Sequence, residues 1–243
     1  MTVLYVFPHP ADESVGPAPA IARQVREGHD VSLLTLTKGG ATDVRHDLGL
    51  SIEEMGAVRE HEMQCVAETL GVELAVLDFP DGGLAGLDPR EIEKVVERKI
   101  RAVQPDVLVS YAVFGHSGHP DHLVTHAIVK RAYCQMGVEM AATAPKRLAL
   151  FTLIDDTMDG VENHLRGVPH EQIGAVVAFE PEDLETAQQA LACYETAPER
   201  TEAQDPLALV AGGVGFVLFD ETHETPLTSL TKAFTSDRGA EVA

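Results

Sequence analysis

Val3-Leu4-Tyr5-Val6-Phe7 runs directly into Pro8-His9-Pro10-Ala11-Asp12-Glu13, and the reading of this junction decides the fold. Five apolar residues rich in β-branched and aromatic types predict a buried first strand. His9 and Asp12 then fall where that strand ends, the edge at which open α/β sheets bind their ligands. Pro10 stiffens the turn, and an imidazole and a carboxylate three residues apart can aim at one point if the backbone bends there. Such donors suit a divalent metal such as zinc, although His and Asp at a strand end also serve as turn and capping residues.

Working outward, Glu13 to Glu27 reads as a helix whose regular part starts as late as Pro19, with Ile21, Ala22 and Val25 inward and Gly28 as its stop. Val31 to Leu36 is a second strand ending in Thr37-Lys38-Gly39-Gly40. Ser51 with Glu54 forms a capping box for a helix to about Leu70, stopped by Gly71. Leu74 to Leu77 is a third strand, closed by Phe79-Pro80-Asp81-Gly82-Gly83, and Asp88-Pro89 opens a helix to about Val103. Asp106 to Tyr111 is a fourth strand. This alternation predicts a single-domain α/β fold with a Rossmann-like, mostly parallel sheet flanked by helices, its strand-to-helix loops sharing one edge.

Further on, Arg147 to Ile154, Ala175 to Phe179 and Val214 to Phe219 read as strands and Pro181 to Tyr194 as a helix, while 155–170 is polar and irregular. The domain is placed at 1–225, and 226–243 is read as a tail, either an interface arm of a homo-oligomer or a loose end.

The loop after the fourth strand carries the second informative stretch, His116-Ser117-Gly118-His119-Pro120-Asp121-His122, with His126 four residues on. Pro120 favours a helix start, which puts His122 and His126 one turn apart on one face. Two strand-end loops on one edge bring His9, Asp12 and His122 together as metal ligands, leaving positions open for water and substrate as a catalytic zinc requires. Asp121 is placed to take the second ring N–H of a liganding or catalytic His, and His119 to protonate a leaving amine or stabilise an oxyanion.

The two motifs resemble those of the LmbE-like, or PIG-L, zinc-dependent N-deacetylases, which read His-Pro-Asp-Asp-Glu and His-Pro-Asp-His; here they stand as His9-Pro10-Ala11-Asp12-Glu13 and His119-Pro120-Asp121-His122. The resemblance implies Zn²⁺ on His9, Asp12 and His122, His119 at the carbonyl with Asp121 as its partner, and Arg59 and Asp81 as contacts to an N-acetylglucosamine-type sugar. It also implies release of acetate and a free amine.

Ala11 departs from the family at the position of its general base, and a methyl group accepts no proton. Losing a positioned base costs ~10²–10⁴-fold in rate. Three readings stay open: an engineered inactive variant, a member that has recruited another base, and a member that binds without turnover. Glu13 and Asp121 are the nearby replacement candidates, with helix capping the simpler role for Glu13. Tyr194, where the family usually carries His, shapes the pocket or packs its helix.

The remaining composition sets limits. With 39 acidic against 18 basic residues the formal charge is -21, which argues against nucleic acid or an anionic membrane as partner. Cys65, Cys134 and Cys193 are odd in number and widely spaced, so neither a disulfide framework nor a thiolate metal cluster is expected, and Cys65 reads as a small core residue. No basic stretch precedes the first apolar run, so a signal peptide is not expected and the location is read as cytoplasmic. His29 and His46 read as exposed loop residues, His61 as a structural helix residue, and His116 and His126 as structural residues ahead of the alternatives, the mouth of the site for His116 and an outer-sphere place for His126. A nucleotide-binding module is disfavoured because no G-x-G-x-x-G follows the first strand.

Overall fold

The computed structural model describes residues 1–140, 142–155, 165–196 and 206–234. In chain order it contains β1 (Thr2–Phe7), α1 (Ala18–Arg26), β2 (Asp30–Thr37), α2 (Val44–Asp47), α3 (Ile52–Leu70), β3 (Glu73–Phe79), α4 (Pro89–Val103), β4 (Val107–Tyr111), α5 (Gly115–Gly118), α6 (Pro120–Glu139), β5 (Arg147–Ile154), β6 (Gly167–Val168), β7 (Ala175–Val177), α7 (Pro181–Ala192) and β8 (Val214–Leu218). The sheet order is β3-β2-β1-β4-β5-β8-β7, with β6 paired beside β5. Strands β1 to β5 are parallel, whereas β8 runs antiparallel to β5 and to β7. The chain builds outward through β2 and β3 and then returns to β4 on the other side of β1, which creates a topological switch point between β1 and β4.

Every residue of β1 from Val3 to Phe7 is buried because both faces of the strand are covered. Val3, Tyr5 and Phe7 join the cluster that holds Ile21 of α1, Met63 and Val66 of α3 and Ala187 of α7. Leu4 and Val6 face the opposite cluster, with Ile92, Val96 and Ile100 of α4 and Ile128 and Val129 of α6. The spacing of four along α4 makes one apolar stripe, and each such side chain contributes about 1.5–3 kcal/mol on full burial. The capping box forms as read, with Ser51 Oγ accepting from the Glu54 N–H and Glu54 Oε2 from the Ser51 N–H, and Gly71 closes α3 at φ +71°. Asp88 caps α4 by accepting from the Arg90 N–H.

Four expectations change. Cys65 and Cys193 form a disulfide; Cys65 is exposed rather than a core residue, and Cys134 is the free thiol. The pair is 128 residues apart, so sequence spacing carries no sign of it, and only the packing of α3 against α7 brings the sulfurs together. Glu13 does not cap the first helix: α1 begins at Ala18, one residue from the late start read at Pro19, with Pro17 at its N-cap. β7 stops at Val177 rather than at Phe179. His29 is half-buried and pairs through Nε2 with Thr231 Oγ1 at 2.9 Å.

The first residues of the segment read as a tail are docked. Leu227 exchanges backbone bonds with Val176 and Gly174, and the wholly buried Arg147 donates to the carbonyls of Leu230, Lys232 and Ala233 while pairing with Glu221. Residues 235–243 lie outside the described residues, as do 156–164 within the stretch read as irregular. Among the described residues no helix is long and apolar enough to cross a membrane.

Candidate metal centre

The loops leaving β1 and β4 meet at the switch point. After β1 the chain turns sharply: Ala11 takes φ +80°, the Ser14 and Val15 N–H groups donate to its carbonyl, and the His9 N–H donates to Asp12 Oδ2 at 2.8 Å. This turn swings the Asp12 carboxylate back beneath the His9 ring. After β4, Gly115 at φ +58° and His116 at φ +60° shape a tight loop that delivers His119, Asp121 and His122 at the start of α6. A side chain at Gly115 would meet His122 Cβ at 2.8 Å, so glycine is needed there on both counts.

His9 Nδ1 lies 3.2 Å from His122 Nε2, Asp12 Oδ2 lies 3.5 Å from His9 Nδ1, and Asp12 Oδ1 lies 3.5 Å from His122 Nε2. A tetrahedral zinc with bonds of about 2.0–2.1 Å spaces its ligands about 3.3–3.4 Å apart, so the His9–His122 separation suits one such ion, with one Asp12 oxygen 3.5 Å from each ring nitrogen beside it. The outer contacts agree. His122 Nδ1 sits 2.8 Å from the Gly115 carbonyl, which can only accept, so the neutral ring carries its proton there and turns the Nε2 lone pair inward. His9 Nε2 sits 3.2 Å from Asp121 Oδ2 and 3.4 Å from Asp81 Oδ1, which places its proton on Nε2 and its lone pair on Nδ1. Two inward lone pairs 3.2 Å apart, facing a carboxylate, are a donor set for a cation. His9, His119 and His122 also lie close enough to share an ion, as do His9, Asp81 and Asp121. There, however, both Asp121 oxygens are already engaged, Oδ2 by the Gly82 N–H and Oδ1 by the Leu84 N–H.

The electrostatics follow from this crowding. Burial opposes protonation of His9, but the Asp12, Asp121 and Asp81 carboxylates outweigh it and push the ring up to about 9, so a cation bound at Nδ1 must displace a proton from it. Burial likewise opposes ionisation of Asp12, yet His122 and His9 hold its carboxyl well below the usual range. His119 is exposed; burial of part of its ring and the neighbouring His9 and His122 lower its pKa, which disfavours the protonated ring that the resemblance implies at this position. Its Nδ1 accepts from the Asp121 N–H, which leaves Nε2–H as an outward donor.

Tyr111, which sequence reasoning assigned no role, stacks on His122 with centroids 4.3 Å apart and 9° between planes, and its phenol is hydrogen-bonded to Asp12. Burial, with the charges of Asp12 and Glu13, keeps that phenol protonated. Its place as the last residue of β4, at the edge where His9 follows β1, was the available signal.

The other predicted residues are less central. Arg59 is buried, donates from Nη2 to the Pro10 carbonyl at 3.4 Å and lies over the Tyr194 ring; among the described residues it meets no carboxylate. Asp81 accepts from the Ala41 N–H as well as facing His9. Glu13 is buried and receives the Ser14 and Tyr194 hydroxyls on Oε1, and burial raises its pKa. Both Asp121 oxygens are engaged, whereas Glu13 is buried with only Oε1 taken and Oε2 without a hydrogen-bond partner among the described residues. His126 is buried with Nδ1 on the Tyr111 carbonyl, His116 is buried between Tyr111 and Phe151, and His61 and His46 are exposed.

Solved structures share this fold. N,N'-diacetylchitobiose deacetylase from Pyrococcus horikoshii superposes with a TM-score of 0.70 at 21% identity, covering 93% of this chain and 87% of that one. A teicoplanin deacetylase in its zinc-inhibited form gives 0.68 at 17% identity, covering 91% and 100%. In sequence, the chain is 31% identical over 159 residues to the 1D-myo-inositol 2-acetamido-2-deoxy-alpha-D-glucopyranoside deacetylase of Rhodococcus opacus, 56% of this chain and 54% of that protein. The chain thus spans about half the length of the relatives it matches. The family model described as PIG-L, GlcNAc-PI de-N-acetylase, matches residues 4–133, more than half of the 243 residues, and the chain belongs to that family.

Proposed function

We propose that this protein is a zinc-dependent N-deacetylase of an N-acetylglucosamine-type sugar or conjugate, slowed by the absence of a proton acceptor at position 11. The observation that carries the reading is the convergence of His9 Nδ1, His122 Nε2 and the Asp12 carboxylate at 3.2–3.5 Å. The deacetylase named in the Rhodococcus opacus relative supports the substrate class. These three residues would hold the zinc, which when bound would supply Lewis-acid polarisation of an acyl carbonyl and make water more acidic. Asp121 fixes the His9 ring through Nε2, and Gly115 does the same for His122 through Nδ1. His119 presents Nε2–H to a developing oxyanion or to the departing amine. Asp81 and Arg59 are assigned to the sugar. With Ala11 in place, no side chain at that position takes the proton from the attacking water.

The test is acetate release, with Zn²⁺ present, from N-acetylglucosamine and its inositol conjugate, for this chain and for Ala11→Asp. The substitution is expected to raise the rate ~10²–10⁴-fold. Absence of acetate from both forms on every N-acetyl sugar tried counts against the reading. Ala11 also favours a second one, a metal- and sugar-binding protein without turnover; zinc and sugar binding with no acetate from either form selects it.

A further inference from the structure

Resting on that reading, we infer that Tyr194 is a positioning residue for the metal-holding turn 9–13, acting through Glu13, and that the Cys65–Cys193 bridge keeps it in place. The Tyr194 phenol donates to Glu13 Oε1 at 2.7 Å across 181 residues of chain, both groups being buried. Glu13 follows Asp12 directly, so where its side chain is anchored decides where the Asp12 backbone lies. Tyr194 meets the same turn a second time, because Arg59, whose guanidinium sits 5.7 Å above its ring, donates to the Pro10 carbonyl.

Tyr194 lies just beyond the end of α7 at Ala192, its N–H donating to the Leu191 carbonyl at 3.2 Å. The rest of its fastening comes from one side of α3. Cys193 is bridged to Cys65, and the Thr196 N–H and hydroxyl both donate to the Glu62 carboxylate at 2.8 Å. Arg59, Glu62 and Cys65 follow at intervals of three along that helix, so the post-helical turn is fastened to one face of it. Cys65 is exposed and Cys193 half-buried, so the bridge lies within reach of a dithiol reductant. Its cleavage passes two electrons and two protons to the protein, leaving two thiols while the dithiol closes to its own disulfide. Losing the bridge frees the segment that carries Tyr194, and Glu13 then lacks its remote anchor.

Co²⁺ in place of Zn²⁺ tests this, because its visible absorption reports coordination geometry independently of turnover. The full-length chain is titrated with Co²⁺ as wild type, Tyr194→Phe, Glu13→Gln, Glu13→Ala and Cys65→Ser, with the fold followed by far-ultraviolet circular dichroism. Wild type is expected to bind one Co²⁺ with a tetrahedral spectrum. Tyr194→Phe, Glu13→Ala and Cys65→Ser should shift that spectrum and weaken binding about 10-fold, the lower end of the effect of lost outer-sphere partners. Glu13→Gln, which keeps an acceptor for Tyr194, should stay near wild type. Unchanged spectrum and affinity in folded Tyr194→Phe overturn the positioning role, and the same result in Cys65→Ser overturns the part given to the bridge. If Tyr194→Phe does not fold, the contrast between Glu13→Gln and Glu13→Ala decides: equal spectra overturn the inference. A wild type that binds no Co²⁺ overturns the functional reading itself, and the inference falls with it.

Discussion

Asp121→Asn is the substitution that best separates a metal centre from a cluster of ordinary polar residues. Asp121 is wholly buried, and its two oxygens serve three donors: Oδ2 takes the Gly82 N–H at 2.9 Å and faces His9 Nε2 at 3.2 Å, while Oδ1 takes the Leu84 N–H at 3.0 Å. An amide has one acceptor, so either placement fails. With its oxygen towards Gly82 and His9, the NH₂ confronts the Leu84 N–H and leaves a buried donor without a partner, at a cost of about 1–3 kcal/mol. With its oxygen towards Leu84, the NH₂ faces His9 Nε2, which must then accept, and the ring proton moves to Nδ1, where it blocks metal ligation. For a chain of this size the first cost lowers the melting temperature by about 2–4 °C per kcal/mol. Zinc affinity should fall about 10–100-fold by either route. Calorimetric titration with Zn²⁺ alongside thermal unfolding reads both. A variant that keeps wild-type zinc affinity while melting several degrees lower would make Asp121 a purely structural residue and refute the orientation argument for His9.

Three further outcomes follow from other parts of the molecule. Gly40→Ala drives a Cβ into the Ile52 carbonyl oxygen, a backbone atom at the start of α3, and should destabilise by about 1–3 kcal/mol in chemical denaturation. Arg147→Ala leaves the buried Glu221 carboxylate with His223 as its partner and releases the Leu230, Lys232 and Ala233 carbonyls, so about 3 kcal/mol should be lost, and limited proteolysis should cut the segment after Glu221 first. Burial opposes ionisation of Asp183, but the Arg26 guanidinium and the Glu180 N–H hold its carboxyl below the ordinary range. Its stabilising effect is therefore complete above the unfolded value of about 3.9 and is lost as pH falls through the lower folded value. The stability gap between wild type and Asp183→Asn should close below about pH 4 in urea titrations.

What was legible in the sequence was what local chemistry determines. The apolar run of β1, the Ser51–Glu54 box and the Asp88-Pro89 start each declare themselves within a few residues, and the crossover rule then places the His9 and His122 loops on one edge. The contacts that hold those loops in shape were not legible. Tyr111 reaches Asp12 and Tyr194 reaches Glu13 only because strands and helices distant in sequence pack side by side, and the Cys65–Cys193 bridge has the same origin.

Position 11 joins the two kinds of information. Its side chain is a methyl group, yet its backbone stands at φ +80°, a conformation that costs an L-residue about 1–2 kcal/mol and that Asp and Asn tolerate better than Ala. The bonds from the Ser14 and Val15 N–H groups to its carbonyl and from the His9 N–H to Asp12 fix that shape without any help from the side chain. An alanine at this position therefore leaves the turn in a shape that an Asp side chain could also adopt. For this reason a single change at residue 11, rather than a rebuilt loop, suffices to test whether the centre can turn over.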